Sequence, residues 1–93
     1  MNMPIIKDEI AEDYIVIKGR SGIEYFDANN NEYFIDSEMV VSEDYDIAIY
    51  PESLIQINKN NTTSEVKNKN LILERICKLC RQGNIKSRFF LDQ

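Results

Sequence analysis

The apolar residues of this chain change their period once, and that change limits what the chain can build. Up to residue 57 they recur at every second position. From residue 72 they recur at every third or fourth. The first period belongs to strands with one buried face, the second to a helix with one buried stripe.

Asp13–Lys18 (DYIVIK) sets Ile15 and Ile17 against Tyr14, Val16 and Lys18. Gly19–Gly22 (GRSG) is turn chemistry. Ile23–Phe26 then places Ile23 and Tyr25 on one face, and Glu32–Asp36 does the same with Tyr33 and Ile35. A short strand is expected at Met39–Val41 and another at Tyr45–Tyr50 (YDIAIY), with Tyr45, Ile47 and Ile49 on one side. Pro51 has no backbone donor and ends that strand. Leu54–Ile57 reads as a strand or a turn of helix, and residues 5–12 as a strand or an irregular lead-in. NKNNTTS, residues 58–64, reads as a polar linker.

Beyond it, Ile72, Leu73, Ile76, Leu79 and Cys80 share one helical face. Thr62 and Glu65 have capping-box spacing, which starts the helix near Thr63, although Asn68 and Asn70 weaken its first turns. Gly83 is a natural residue to follow a helix, and Arg81 suits its negative end. Ile85–Leu91 reads as a last strand. The predicted fold is α+β: an antiparallel sheet of about five to six strands, one C-terminal helix packed on one face, then a final strand. The 93 residues form a single domain, 1–93.

Charge is distributed unevenly. Residues 1–52 hold 13 acids and 3 bases, a net of −10, and residues 53–93 hold 3 acids and 8 bases, a net of +5, together the −5 of the whole chain. An acidic first half repels nucleic acid, which draws on a positive surface, and attracts a basic protein. A solvated face kept for solubility is the plainer explanation of the same charges. No apolar run approaches the roughly 20 residues of a membrane span, and the acidic start MNMPIIKDEIAED is unlike a signal peptide. A cytoplasmic protein that does not bind membranes is therefore expected.

Two stretches resemble chemical sites. In FDANNNEYFIDSE, Asp27, Asn29, Asn31 and Glu38 fall at positions 1, 3, 5 and 12 of a calcium loop. Position 6, which needs glycine, is Glu32, position 9 is Ile35, and both flanks alternate as strands. A hairpin with its tip at Ala28–Asn31 is the expected structure, with no metal. Cys77 and Cys80 form a CxxC, but mid-helix to late-helix rather than at a helix N-terminus, and no histidine or third cysteine completes a zinc set. Cys80 falls in the apolar stripe and Cys77 at its margin. Without histidine, a serine or cysteine nucleophile has no ordinary base. Neither an enzyme nor a cofactor is expected.

Ser37-Glu38-Met39, then Tyr45–Tyr50 followed by Ser53-Leu54, then a helix ending at Gly83 with Ile85 opening a final strand, resemble the immunity protein 74 family of bacterial polymorphic-toxin systems. The resemblance spans roughly residues 13–91. Ser37 stands where the family tends to carry glycine, and no tryptophan follows the YPESL segment. The resemblance implies a small α+β protein that binds and neutralises a cognate toxin domain. On this reading the partner is the toxin's C-terminal domain, and a basic nuclease is the kind of toxin that the acidic half would suit. The residues expected to meet it are the acids Asp27, Glu32, Glu38, Glu43 and Asp44, with Tyr33 or Tyr45 as an aromatic anchor if exposed. A non-catalytic adaptor acting through homo-oligomeric contacts is the alternative, with an enzyme third.

Overall fold

The alternating segments become a six-stranded antiparallel sheet. The computed structural model describes residues 4–90, apart from the side chain of Arg20. The sheet contains β1 (Ile5–Asp8), β2 (Asp13–Ile17), β3 (Ile23–Phe26), β4 (Glu32–Ile35), β7 (Ile55–Ile57) and β8 (Thr63–Ser64), neighbours in that order. A smaller sheet of three strands is ordered β5 (Ser37–Met39), β6 (Ile47–Ile49), β9 (Ser87–Phe89). The helix, α1, runs Lys69–Gln82 and packs against β1, β2 and β9. The expected α+β architecture is the one found.

The core follows the sequence periods. Ile15 and Ile17 of β2, Ile23 and Tyr25 of β3, Tyr33 and Ile35 of β4, and Ile47 and Ile49 of β6 are buried. They meet Ile72, Leu73, Ile76, Leu79 and Cys80 from the helix. Burial of each such aliphatic side chain contributes about 1.5–3 kcal/mol. Cys80 is wholly inside, and burial pushes its thiol up to about 12, which leaves it chemically inert.

Four expectations are corrected. The helix begins at Lys69 rather than near Thr63, because Thr63 and Ser64 pair with β7 and the Thr62 hydroxyl donates to Asn60 Oδ1 at 2.7 Å. Asn68 precedes the helix without a side-chain cap. The expected linker at residues 58–64 is thus a hairpin tip, closed by Asn58 N–H donating to Thr62 O, with Asn61 at φ 67°. The strand expected at Met39–Val41 lies two residues earlier, at Ser37–Met39, and the Tyr45–Tyr50 strand shortens to Ile47–Ile49. The last strand, whose direction the sequence pattern leaves open, runs parallel: β9 pairs with β6, and α1 lies in the connection between them. Leu91, expected to end that strand, lies outside the described residues.

The two glycines that shape turns do so differently. Gly22 has φ 117°, and a Cβ there would lie 2.6 Å from both Ile35 O and the Phe34 ring, so this corner requires glycine. Gly83 has φ −88° and leaves the left-handed residue to Asn84 at φ 62°. Asn84 N–H donates to Arg81 O and Ile85 N–H to Cys80 O, a Schellman end to the helix. Glycine fits at 83 because a Cβ would run into Ile6 of β1.

One polar network ties α1 to the sheet. Arg75 Nε lies 2.6 Å from Asp13 Oδ2 and its Nη2 2.7 Å from Asp13 Oδ1, a bidentate pair, while the same Nη2 reaches Asp8 Oδ2 at 2.9 Å. Tyr25 donates its hydroxyl to Asp13 at 2.8 Å. Asp8 Oδ1 accepts from the N–H groups of Ile10 and Ala11 and so also shapes the β1–β2 turn. Burial alone would raise the Asp13 carboxyl, but Arg75 and Tyr25 together hold it below its ordinary value. The Ala11 N–H first, then Arg75, bring Asp8 down to about 2. Burial and then the bond to Asp13 drive the Tyr25 hydroxyl well above its usual range. Across the chain's halves, Lys69 also pairs with Glu52 at 3.2 Å. The sequence-level charge split is therefore partly cancelled in space.

Candidate partner-binding surface

The seven expected contact residues divide into two groups at opposite ends of the β4–β5 run. Asp27, Glu32 and Tyr33 lie at the β3–β4 hairpin. Glu38, Glu43, Asp44 and Tyr45 lie at or beyond β5, in the connection to β6.

At the first end the acid is occupied locally. Asp27 Oδ1 accepts from the N–H groups of Asn29 and Asn31, each at 2.9 Å, and Oδ2 from Asn31 Nδ2 at 3.0 Å. Asn30 takes φ 64°, which asparagine tolerates. The oxygens that resembled calcium ligands thus build the hairpin. Glu38, the matching twelfth position, sits in a different strand. Tyr33 faces inward, its ring 5.8 Å from that of Tyr25, so it is no exposed anchor. Burial, then the Asp27 charge, raise its hydroxyl pKa. Glu32 points the other way, between Phe26 and Ile57 on the outer face of the sheet.

At the second end the acids are exposed. Val40 N–H donates to Asp46 O at 3.0 Å and closes the base of the loop. Asp46 and Lys86 fix that base to β9: Asp46 N–H donates to Lys86 O at 2.7 Å, and Lys86 N–H to Asp46 Oδ2 at 2.9 Å. Within the loop the Asp44 N–H donates to Ser42 Oγ at 3.1 Å. From this fixed base Glu38, Glu43 and Asp44 project into solvent. Between them, Met39 is half exposed and Val41 wholly exposed. Sequence reasoning missed both. Next to the tip, Tyr45 packs on Phe90 with centroids 5.5 Å apart, and the Arg88 guanidinium lies 5.6 Å from each ring.

This surface holds exposed apolar side chains among carboxylates on a pinned loop. Such an arrangement can recognise a partner with an apolar socket and a basic rim. Among the described residues, no cluster of three or more His, Cys, Asp or Glu is arranged to hold a metal ion. No helix among them is long and apolar enough to cross a membrane. No protein-family model matches the chain, and neither a curated protein nor a solved structure matches it.

Proposed function

We propose that this chain is an immunity protein that binds a cognate bacterial toxin domain and neutralises it stoichiometrically. The observation that supports this reading best is the 38–46 segment. Val41, inside an acidic loop whose base is fixed to β9, and Met39, at the end of β5 beside it, are exposed apolar residues. Exposed side chains of this kind bury usefully only against a partner, and the surrounding carboxylates favour a basic one. The role needs no catalytic group. The cytoplasm, where such a toxin would act, is the compartment this reading requires. Co-expression with the product of the adjacent upstream gene tests it. Rescue of growth by this chain, lost on Val41→Asp, is the expected result. Full toxicity in the presence of folded protein would overturn the proposal.

A second reading, a non-catalytic adaptor acting through homo-oligomeric contacts, is favoured by a different observation. The outward row across the larger sheet runs Ile5, Val16, Glu24, Phe34, Ile55. Ile5, on the edge strand, is 65% exposed. A concentration-dependent dimer that Ile5→Lys dissolves would place this reading first.

A further inference from the structure

A groove runs between α1 and the free edge of β9, formed by two adjoining depressions of about 800 and 460 Å³ that share Cys77 and Arg81. Leu73 and Phe89 line the larger, and Cys77 and Ser87 meet at 3.5 Å where the smaller begins. Its charge is opposite to that of the acidic loop. Lys78, Arg81 and Lys86 line it, all exposed and none in an ion pair among the described residues. Among the described residues Glu74 is the one acid on its walls, and the Arg75 charge is taken up by Asp8 and Asp13.

The backbone adds a second feature. Among the described residues β9 is the last strand of its sheet and pairs only with β6. Phe90 N–H donates to Ile49 O, and Lys86 O accepts from Ile47 N–H, so the even-numbered residues face β6. In a parallel ladder alternate residues turn their backbone groups to opposite sides. The N–H and C=O of Ser87 and Phe89 therefore point to the unpaired edge, beside the basic wall of α1. An unpaired edge is a template for another strand.

We propose that this groove binds an extended acidic segment of a partner protein, added as a strand to the edge of β9. Backbone pairing to Ser87 and Phe89 sets its register. Alternate apolar side chains rest on Leu73 and Phe89. Carboxylates on the opposite side meet Lys78, Arg81 and Lys86. Charge complementarity selects the occupant: among the described residues these cations are in no ion pair and one acid lines the groove. The site is distinct from the acidic loop and does not depend on the immunity role.

The test uses the full chain and a short capped peptide of alternating valine and glutamate, carrying a fluorophore for anisotropy. Saturable binding at low salt is expected, with amide shifts by NMR concentrated at Ser87–Phe89 and at Cys77–Arg81. Charge reversal by Lys78→Glu with Arg81→Glu should weaken binding by roughly tenfold or more, because like charges then face each other. Arg81→Glu also opposes the helix dipole, so a thermal melt checks the fold. A separate arm leaves the protein intact and N-methylates the peptide at alternate amides, which should abolish binding. Binding that survives N-methylation, or charge reversal in folded protein, overturns the proposal. So does equal binding of a random acidic polymer, which would reduce the site to generic anion attraction. Self-association that Arg81→Glu dissolves would assign the groove to a second copy and overturn the partner-segment assignment.

Discussion

Arg75, in the middle of α1, holds Asp13, at the start of β2, by two bonds of 2.6 and 2.7 Å across 62 residues of sequence. The pair joins the helix to the larger sheet where the apolar stripe ends. Asp13 is 3% exposed, so its charge depends on Arg75 and on the Tyr25 hydroxyl for compensation. Removing one partner of such a pair strands a buried charge, which costs more than the pair itself contributes.

Arg75→Ala should therefore destabilise the protein by about 3–5 kcal/mol, as other broken buried pairs do. Replacing Arg75 by Met and Asp13 by Leu together should recover part of that loss, because the buried Asp13 charge is then gone, while Asp8 still loses Arg75 and the Tyr25 hydroxyl loses its acceptor. Urea denaturation of both variants measures this. A single-variant loss under about 1 kcal/mol, the range of surface pairs, would show that the network is solvated and weak.

The same network predicts the shape of the stability curve against pH. Asp8 and Asp13 have lowered folded-state pKa values, with Asp8 at about 2. Unfolded carboxylates of this type titrate near about 3.9, so the stability these groups add is present above that value. It is lost as pH falls from about 4 toward 2. Tyr25 has a raised pKa and stays neutral in the fold. The unfolded phenol ionises near about 10, so stability falls again above that pH. Thermal melts should show both limbs. Asp8→Asn should flatten the acid limb and Tyr25→Phe the alkaline one, and unchanged limbs would remove these residues from the account.

Ser37 gives a prediction of opposite sign. It is 6% exposed, and its hydroxyl has no hydrogen-bond partner among the described residues. A buried unpaired hydroxyl is destabilising by about 1–3 kcal/mol. Ser37→Ala should raise stability by about 1 kcal/mol, read from the denaturation midpoint at constant slope. A drop of that size would mean that the hydroxyl is satisfied by water in solution.

Much of the fold was legible because burial and strand period coincide. Ile15, Ile17, Ile23, Tyr25 and Ile35 alternate in sequence and are the residues found inside. The errors fall where one local pattern serves another end. Thr62 and Glu65 have capping-box spacing, yet the hydroxyls nearby stabilise the β7–β8 tip, and pairing with β7 decides the outcome. The parallel direction of β9 and the partners of Arg75 are set by contacts distant in sequence, which no local pattern encodes. At the candidate surface, the exposure of Glu43 and Asp44 follows from their charge. Met39 and Val41 were read as strand residues because apolar side chains in a short run normally turn inward. Their exposure follows from β5 ending at Met39 and from the loop closing at Val40 and Asp46.

If the acidic loop is the partner surface, its charges and its apolar tip should act on different rate constants. Glu43 and Asp44 are exposed and belong to no ion pair among the described residues, so they steer encounter without holding the complex. Replacing both by lysine should slow association with a basic toxin domain, and the slowing should fade as salt shortens the screening length to about 8 Å near physiological strength. Val41→Ala should leave association nearly unchanged and speed dissociation, because a desolvated anchor is lost only after docking. Glu65→Lys with Glu74→Lys provides the control, since both are exposed acids of the basic half. Stopped-flow association and surface-binding dissociation, run over a salt series, separate the two effects. A flat salt response, or a larger loss from the control pair, would move the contact away from residues 38–46. A Val41→Ala variant that dissociates as slowly as the parent would leave charge alone to account for binding, which a single exposed loop is too weak to supply.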